Sequence, residues 1–246
     1  MAALISTYSA SVALSFLAPL VWLLFYLRED RHPEPKHLLL LTFIAGIAAA
    51  TASLALEVFL FSGPLAASAG RVVFPGGILN YFAPQLLQYS IVILLGVGLI
   101  EEYIKYAAVK FSVLSRPEFN EPVDAMIYMV TAALGFAAIE NVLFLTPVFE
   151  TGFLGGVQLT ANRFLGANLL HALSSAMVGY ALARHAFSPW RKHAVAAGVI
   201  AAGALHTLFN YFILIKDAVP ESLVLVILLL ALMAIVVIAD FERLQR

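Results

Sequence analysis

Glu101, Glu102 and Lys105 stand in the run LIEEYIKY, Glu140 in GFAAIENVLF, His171 at the head of HALSSAMVGY and His206 at the head of HTLFN, each inside an otherwise apolar stretch. An ionisable group deep in an apolar span costs roughly 2.5–3.5 kcal/mol on insertion scales, so each is a functional candidate by default. Glutamate, histidine and lysine placed together can relay protons, ligate a metal or activate water. Glu101 and Lys105 are one helical turn apart in the favourable Glu-before-Lys order. Glu102 points about 100° away from Glu101, so this pairing leaves it without its own countercharge. Asn210 follows His206 by one turn on the same face, and Ser174 and Ser175 follow His171 at i+3 and i+4. Any one of these groups alone reads as a helix–helix hydrogen bond. Together, on four helices, they are a poor way to glue a bundle, because such a bond averages about 0.6 kcal/mol. Glu57 has no recognisable companion and reads as a packing contact.

Hydrolysis by water needs a base, donors for the developing oxyanion and a shell that positions both. Glu101 or Glu102 can be the base, with Glu102 preferred because Lys105 holds Glu101. His206 and Asn210 offer two donors at one height for an oxyanion, and His171 can orient the water or protonate a leaving amine. Neither Ser174 nor Ser175 has a nucleophile setting, so direct attack by water is expected rather than an acyl-enzyme.

The elements that must carry these groups follow from composition. The chain has 246 residues, 62% hydrophobic and 12% charged, where a soluble domain carries about 25% charge. One core of this size cannot hide that excess, so lipid is the expected solvent for much of the surface. A net charge of −1 without a basic stripe argues against nucleic acid. The absence of cysteine excludes disulfides, thiolate nucleophiles and Cys-ligated metals.

Seven apolar stretches near 5–27, 37–62, 84–113, 123–147, 164–187, 193–215 and 221–240 are long enough to span. The first lacks a basic leader and a clear cleavage site, and reads as a span rather than a signal peptide. Only Pro19 falls well inside a predicted span; the other ten prolines, Pro147 among them, fall in connections or at helix ends. Residues 63–83 and 148–160 are expected to be loops or short re-entrant segments. Lys and Arg concentrate in the first, third and fifth connections and the C-terminal tail, while the second, fourth and sixth hold only Arg71, Arg163 and Lys216. That alternation places the N-terminus outside and the C-terminus in the cytoplasm. The expectation is an all-α, polytopic bundle forming a single membrane domain over 1–246. It divides into two N-terminal spans (1–62), a four-span motif core (84–215) and a last span with a short tail (221–246).

E-E-x-x-K at Glu101–Lys105, F-x-x-x-E-N at Phe136–Asn141, His171, and H-T-L-F-N from His206, in this order on successive spans, resemble the PrsW family of intramembrane proteases. That family is distantly related to the CAAX prenyl endopeptidases and the Abi (CPBP) proteins. The resemblance covers roughly residues 95–215. It implies catalytic roles for Glu101, Glu102 and one or both of His171 and His206. The second motif carries over onto Phe136 and Glu140, where the CAAX-type relatives have His in place of the Glu. It also implies a protein substrate anchored in the bilayer of the cell membrane, similar to the anti-sigma factors that some members cleave at an outer-side site. Glu101, Glu102, Glu140, His171, His206 and Asn210 are the expected catalytic set, supported by Lys105, Phe136, Asn141 and Ser175. The family has been labelled metalloprotease, and two Glu with two His can ligate zinc. Without an H-E-x-x-H helix, and with Lys105 competing for Glu101, a metal-free site is expected, zinc being the alternative. A proton-coupled transporter and a non-catalytic scaffold are the rival readings.

Overall fold

The computed structural model describes residues 2–28, 32–62, 87–185 and 190–245. Those residues form α1 (Ala2–Tyr26), α2 (Lys36–Ser62), α3 (Leu87–Ser112), α4 (Pro122–Thr151), α5 (Phe153–Leu165), α6 (Ala167–Arg184), α7 (Arg191–Ile215) and α8 (Ser222–Leu244), with no strand among them. Six helical stretches are long and apolar enough to cross a membrane: Thr7–Tyr26, Lys36–Leu60, Pro122–Thr151, Phe153–Arg184, Arg191–Ile215 and Ser222–Leu244. The chain is therefore an all-α, multi-pass bundle. α3 covers the third predicted span, and its charges at Glu101, Glu102 and Lys105 set it apart from the other six.

α4 is the axis of the bundle. From Val123 to Ala138 every residue is buried, against α1, α2 and α6. Pro122 opens it, where a missing N–H costs nothing, and the Asp124 carboxylate accepts the backbone N–H of Asn120 and Glu121 at 2.9 and 2.8 Å. The outer helices show the complementary pattern, with Leu24, Leu40, Ile227 and Ile235 exposed, as lipid-facing surfaces require.

Close crossings are made at small residues, as expected where dispersion rather than hydrophobicity drives helix association. A Cβ on Gly46 would lie 2.0 Å from the Ala132 carbonyl oxygen, and one on Gly135 would lie 2.1 Å from that of Phe43, so α2 and α4 touch backbone to backbone. α3 and α7 cross in the same way, since a Cβ on Gly98 would lie 2.7 Å from the Gly203 carbonyl oxygen.

Two expectations are corrected. Residues 148–160 are helical rather than a loop: α4 continues to Thr151, and α5 begins at Phe153 after Gly152. Pro147 lies inside α4, one turn from its end. The lost hydrogen bond there is confined to the last turn, and Gly152 N–H closes that turn on the Val148 carbonyl at 3.1 Å. The fifth predicted span falls in the apolar stretch Phe153–Arg184, in which Gly166 marks the break between α5 and α6. The 63–83 connection lies outside the described residues.

Candidate active site

Three helices bring the central groups together, and their sequence explains why they can. Gly98 lies three residues before Glu101, and Gly203 three residues before His206. The crossing of α3 and α7 at these glycines therefore delivers Glu101, Glu102 and His206 to one level. α6 packs against α4 and α7 and adds His171, Ser174 and Ser175.

Glu102 is fully buried and saturated with donors. Its Oε1 accepts from Lys105 Nζ at 2.8 Å and Ser174 Oγ at 2.9 Å, and lies 3.3 Å from His206 Nδ1. Its Oε2 accepts from Ser175 Oγ at 2.8 Å. A carboxylate offers about four acceptor positions, and Glu102 meets four donor groups, three at Oε1 and one at Oε2. Glu101 differs. Its Oε2 accepts one long bond from Lys105 at 3.3 Å and faces two imidazole nitrogens, His206 Nε2 at 3.7 Å and His171 Nδ1 at 3.8 Å. These separations exceed a hydrogen bond and suit a small bridging species. The expected pairing is thus reversed: Lys105 bonds Glu102 more closely than Glu101, and Glu101 is the acid left under-coordinated. The i+3 contact wins because Ser174, Ser175 and His206 hold Glu102 against α6 and α7, toward the lysine.

Lys105 has no exposure and no acceptor capacity, so its bond to His171 Nδ1 at 2.8 Å fixes that nitrogen as acceptor. The Nε2–H of His171 then donates to Glu140 Oε2 at 2.9 Å. The Lys105 ammonium also sits 4.4 Å from the Phe136 ring centroid, and Phe136 packs 5.5 Å from the His171 ring. The two imidazoles meet edge to face at 5.1 Å.

Glu140 is gripped by Arg163 Nη2 at 2.6 Å as well as by His171. Arg163, counted in the sequence only as a loop charge, lies on α5 and also donates through Nε to Asn141 Oδ1 at 2.6 Å. Asn141 Nδ2 donates to Asn168 Oδ1 at 3.0 Å and to the Ser15 carbonyl on α1 at 3.1 Å. Arg163, Ser174 and Asn168 are thus additions to the expected set. The signal for Arg163 was present: a single basic residue in the fourth connection, eight residues before His171.

Asn210 is half-buried on α7 and has no hydrogen-bond partner among the described residues. Glu57 accepts from Ser53 Oγ at 2.8 Å, a contact along its own helix.

One oxygen of Glu101 and one nitrogen each of His171 and His206 all lie within 4.8 Å of one another. A carboxylate with two imidazoles is a donor set for a catalytic zinc with an open position. Each ring is anchored through its other nitrogen on a carboxylate, His171 on Glu140 and His206 on Glu102, the outer arrangement that metal-binding histidines use. The donor set fits a cation, with one condition: Lys105 must leave His171 Nδ1, whose lone pair it fills.

Comparison with known proteins matches these features. The sequence model of a family described as PrsW family intramembrane metalloproteases matches residues 34–239. Protease PrsW of Geobacillus kaustophilus is 27% identical over 204 residues, covering 82% of this chain and 79% of that protein. Protease PrsW of Oceanobacillus iheyensis is 25% identical, covering 82% and 83%, and that of Bacillus subtilis is 27% identical, covering 70% and 67%. No solved structure matches the chain.

Proposed function

Because the chain belongs to the PrsW family of intramembrane proteases, we propose that it hydrolyses a peptide bond of a membrane-anchored protein with water activated between Glu101, His171 and His206. The observation that carries this reading is the contrast between the two adjacent acids. Glu102 has four donors, whereas Glu101 keeps one long bond and faces the gap between the rings.

A water in that gap donates one O–H to Glu101 Oε2 and the other to His206 Nε2, which leaves an oxygen lone pair for the scissile carbonyl. Glu101 takes the proton as the C–O bond forms and returns it to the amine as the C–N bond breaks. Asn210, one turn from His206 along α7, serves the oxyanion, while His206 Nε2 holds the water as its acceptor. Glu102 is a positioning group: it orients His206 and neutralises Lys105. Glu140 and Lys105 hold the His171 ring between them.

Zinc is the second reading, favoured by the donor set and by the family's description. Glu101, His171 and His206 would hold it, and it would supply acidification of water and polarisation of the carbonyl. The basic residues in alternate connections support an N-terminus outside and a C-terminus in the cytoplasm of the cell membrane. A single-span substrate similar to an anti-sigma factor, cut toward its outer side, fits that orientation.

Purified protein in liposomes, given single-span substrates with and without a strong chelator, separates the readings. Cleavage that survives chelation but is lost in His206→Ala supports activation by the glutamate alone. Cleavage lost with chelator and restored by zinc assigns the metal. Failure of the wild-type protein to cut any membrane-tethered substrate would count against both.

A further inference from the structure

Arg163 belongs to neither the motif set nor the cluster of three donor atoms, yet it is the cation of the outer half of the site. Its side chain is 11% exposed and that of Glu140 19%, against 1% for His171 and 0% for Lys105. Its guanidinium bonds Glu140 and Asn141 at 2.6 Å each and lies 4.4 Å from the Phe144 ring centroid. The same Glu140 oxygen, Oε2, accepts from Arg163 and from His171, so the position of the guanidinium sets the position of the His171 ring.

What holds Arg163 is α1. Trp22 Nε1 donates to the Phe164 carbonyl at 2.7 Å and its indole stacks on the Phe164 ring at 5.3 Å, gripping the residue next to Arg163. The Ser15 carbonyl fixes Asn141, which in turn accepts from Arg163. α1 (Ala2–Tyr26) lies wholly outside the family-matched residues 34–239, and the chain nevertheless uses it to brace the site.

We propose that Arg163 is a positioning residue for His171, acting through Glu140, and that Trp22 on α1 clamps the end of α5 to keep it there. α5 is set off from α4 at Gly152 and from α6 at Gly166, and two side-chain contacts fix its C-terminal end. The Arg163 pair joins it to Glu140, and the Trp22 clamp joins it to α1. The assignment of a catalytic purpose rests on the protease reading; the physical coupling of Arg163 to His171 does not.

The test uses the full chain in detergent or liposomes with Arg163→Met, Arg163→Lys, Trp22→Phe and Glu140→Gln, the last also combined with Arg163→Met. The first readout is the 15N spectrum of the His171 ring, assigned by its loss in His171→Gln. The wild-type protein shows a single neutral form protonated at Nε2. Arg163→Met and Glu140→Gln each broaden or shift that signal, Arg163→Lys does so less, and Trp22→Phe, which keeps the stacking ring but not the indole N–H, produces a partial change. The second readout is cleavage of a single-span substrate. Arg163→Met lowers kcat about 10- to 100-fold, the range typical of outer-shell partners, with KM within about twofold. Adding Arg163→Met to Glu140→Gln costs nothing further. An unmoved His171 signal in a folded Arg163→Met protein overturns the proposal, as does an additive double mutant. Absence of cleavage by wild type, with the spectral coupling present, would overturn the protease reading and leave the coupling standing.

Discussion

Lys105→Met offers the sharpest quantitative test of how the centre is held. The ammonium is the only cation directly bonded to Glu101 and Glu102 among the described residues, and neither Lys105 nor Glu102 has any exposure. Its removal deletes bonds of 2.8 Å to Glu102, 2.8 Å to His171 and 3.3 Å to Glu101. Two adjacent carboxylates then face each other in a water-poor interior. Removing one partner of a buried pair costs about 3–5 kcal/mol, because the other charge is stranded. Glu102→Gln strands Lys105 instead and costs a similar amount, softened by the remaining bond to Glu101. Replacing both removes the charges as a unit, so Lys105→Met with Glu102→Gln is expected to be about 2–3 kcal/mol less destabilising than the sum of the single changes. Reversible unfolding in mixed micelles, followed by circular dichroism and tryptophan fluorescence, measures all three. Additivity within about 0.5 kcal/mol would refute the claim that Lys105 is the shared countercharge.

Other outcomes follow from the same geometry. Gly98→Ala places a methyl 2.7 Å from the Gly203 carbonyl oxygen; spreading α3 from α7 should lower stability by about 1–3 kcal/mol. Cleavage should fall about 100-fold, the usual effect of an ångström of misplacement. Ser174→Ala and Ser175→Ala each remove one donor from a carboxylate, a loss of about 1.5–3 kcal/mol seen in unfolding titrations, with cleavage reduced rather than abolished. In Lys105→Met the lone pair of His171 Nδ1 is released, so isothermal titration should show tighter zinc binding than in wild type if Glu101, His171 and His206 form a metal site. An unchanged or weaker affinity would count against that site. Glu57→Gln, whose hydrogen bond among the described residues is to Ser53 on its own helix, should change cleavage far less than Glu101→Gln.

Much of the fold was legible because lipid imposes a plain rule: each crossing must be a long apolar helix, and 62% hydrophobic composition with most of the charge in connections displays it. The site was legible for the converse reason, since a buried charge in such a helix stands out. Partnership was harder to read. The i,i+4 rule assigned Lys105 to Glu101, but three donors from two other helices drew Glu102 into the lysine's reach. No spacing within α3 encodes that. Arg163 was hidden by the same logic that made the topology readable, because one arginine in a connection expected to carry little positive charge satisfies the charge-alternation rule without further explanation. That α5 is helical was not legible, since its glycines and the preceding proline resemble loop chemistry. The helix forms there because Phe164 and Arg163 gain tertiary partners on α1 and α4. Asn210, placed beside His206 by helical periodicity, shares its helix but not its hydrogen-bond network.

The central claim is that Glu101, and not Glu102, is the base that activates water. Single-turnover cleavage of a membrane-tethered substrate in liposomes by Glu101→Gln tests it most directly. The account predicts a loss of at least about 1,000-fold with unfolding and substrate binding unchanged, because the substituted side chain keeps its shape and its single contact to Lys105. Cleavage by Glu101→Gln within about tenfold of wild type would contradict it.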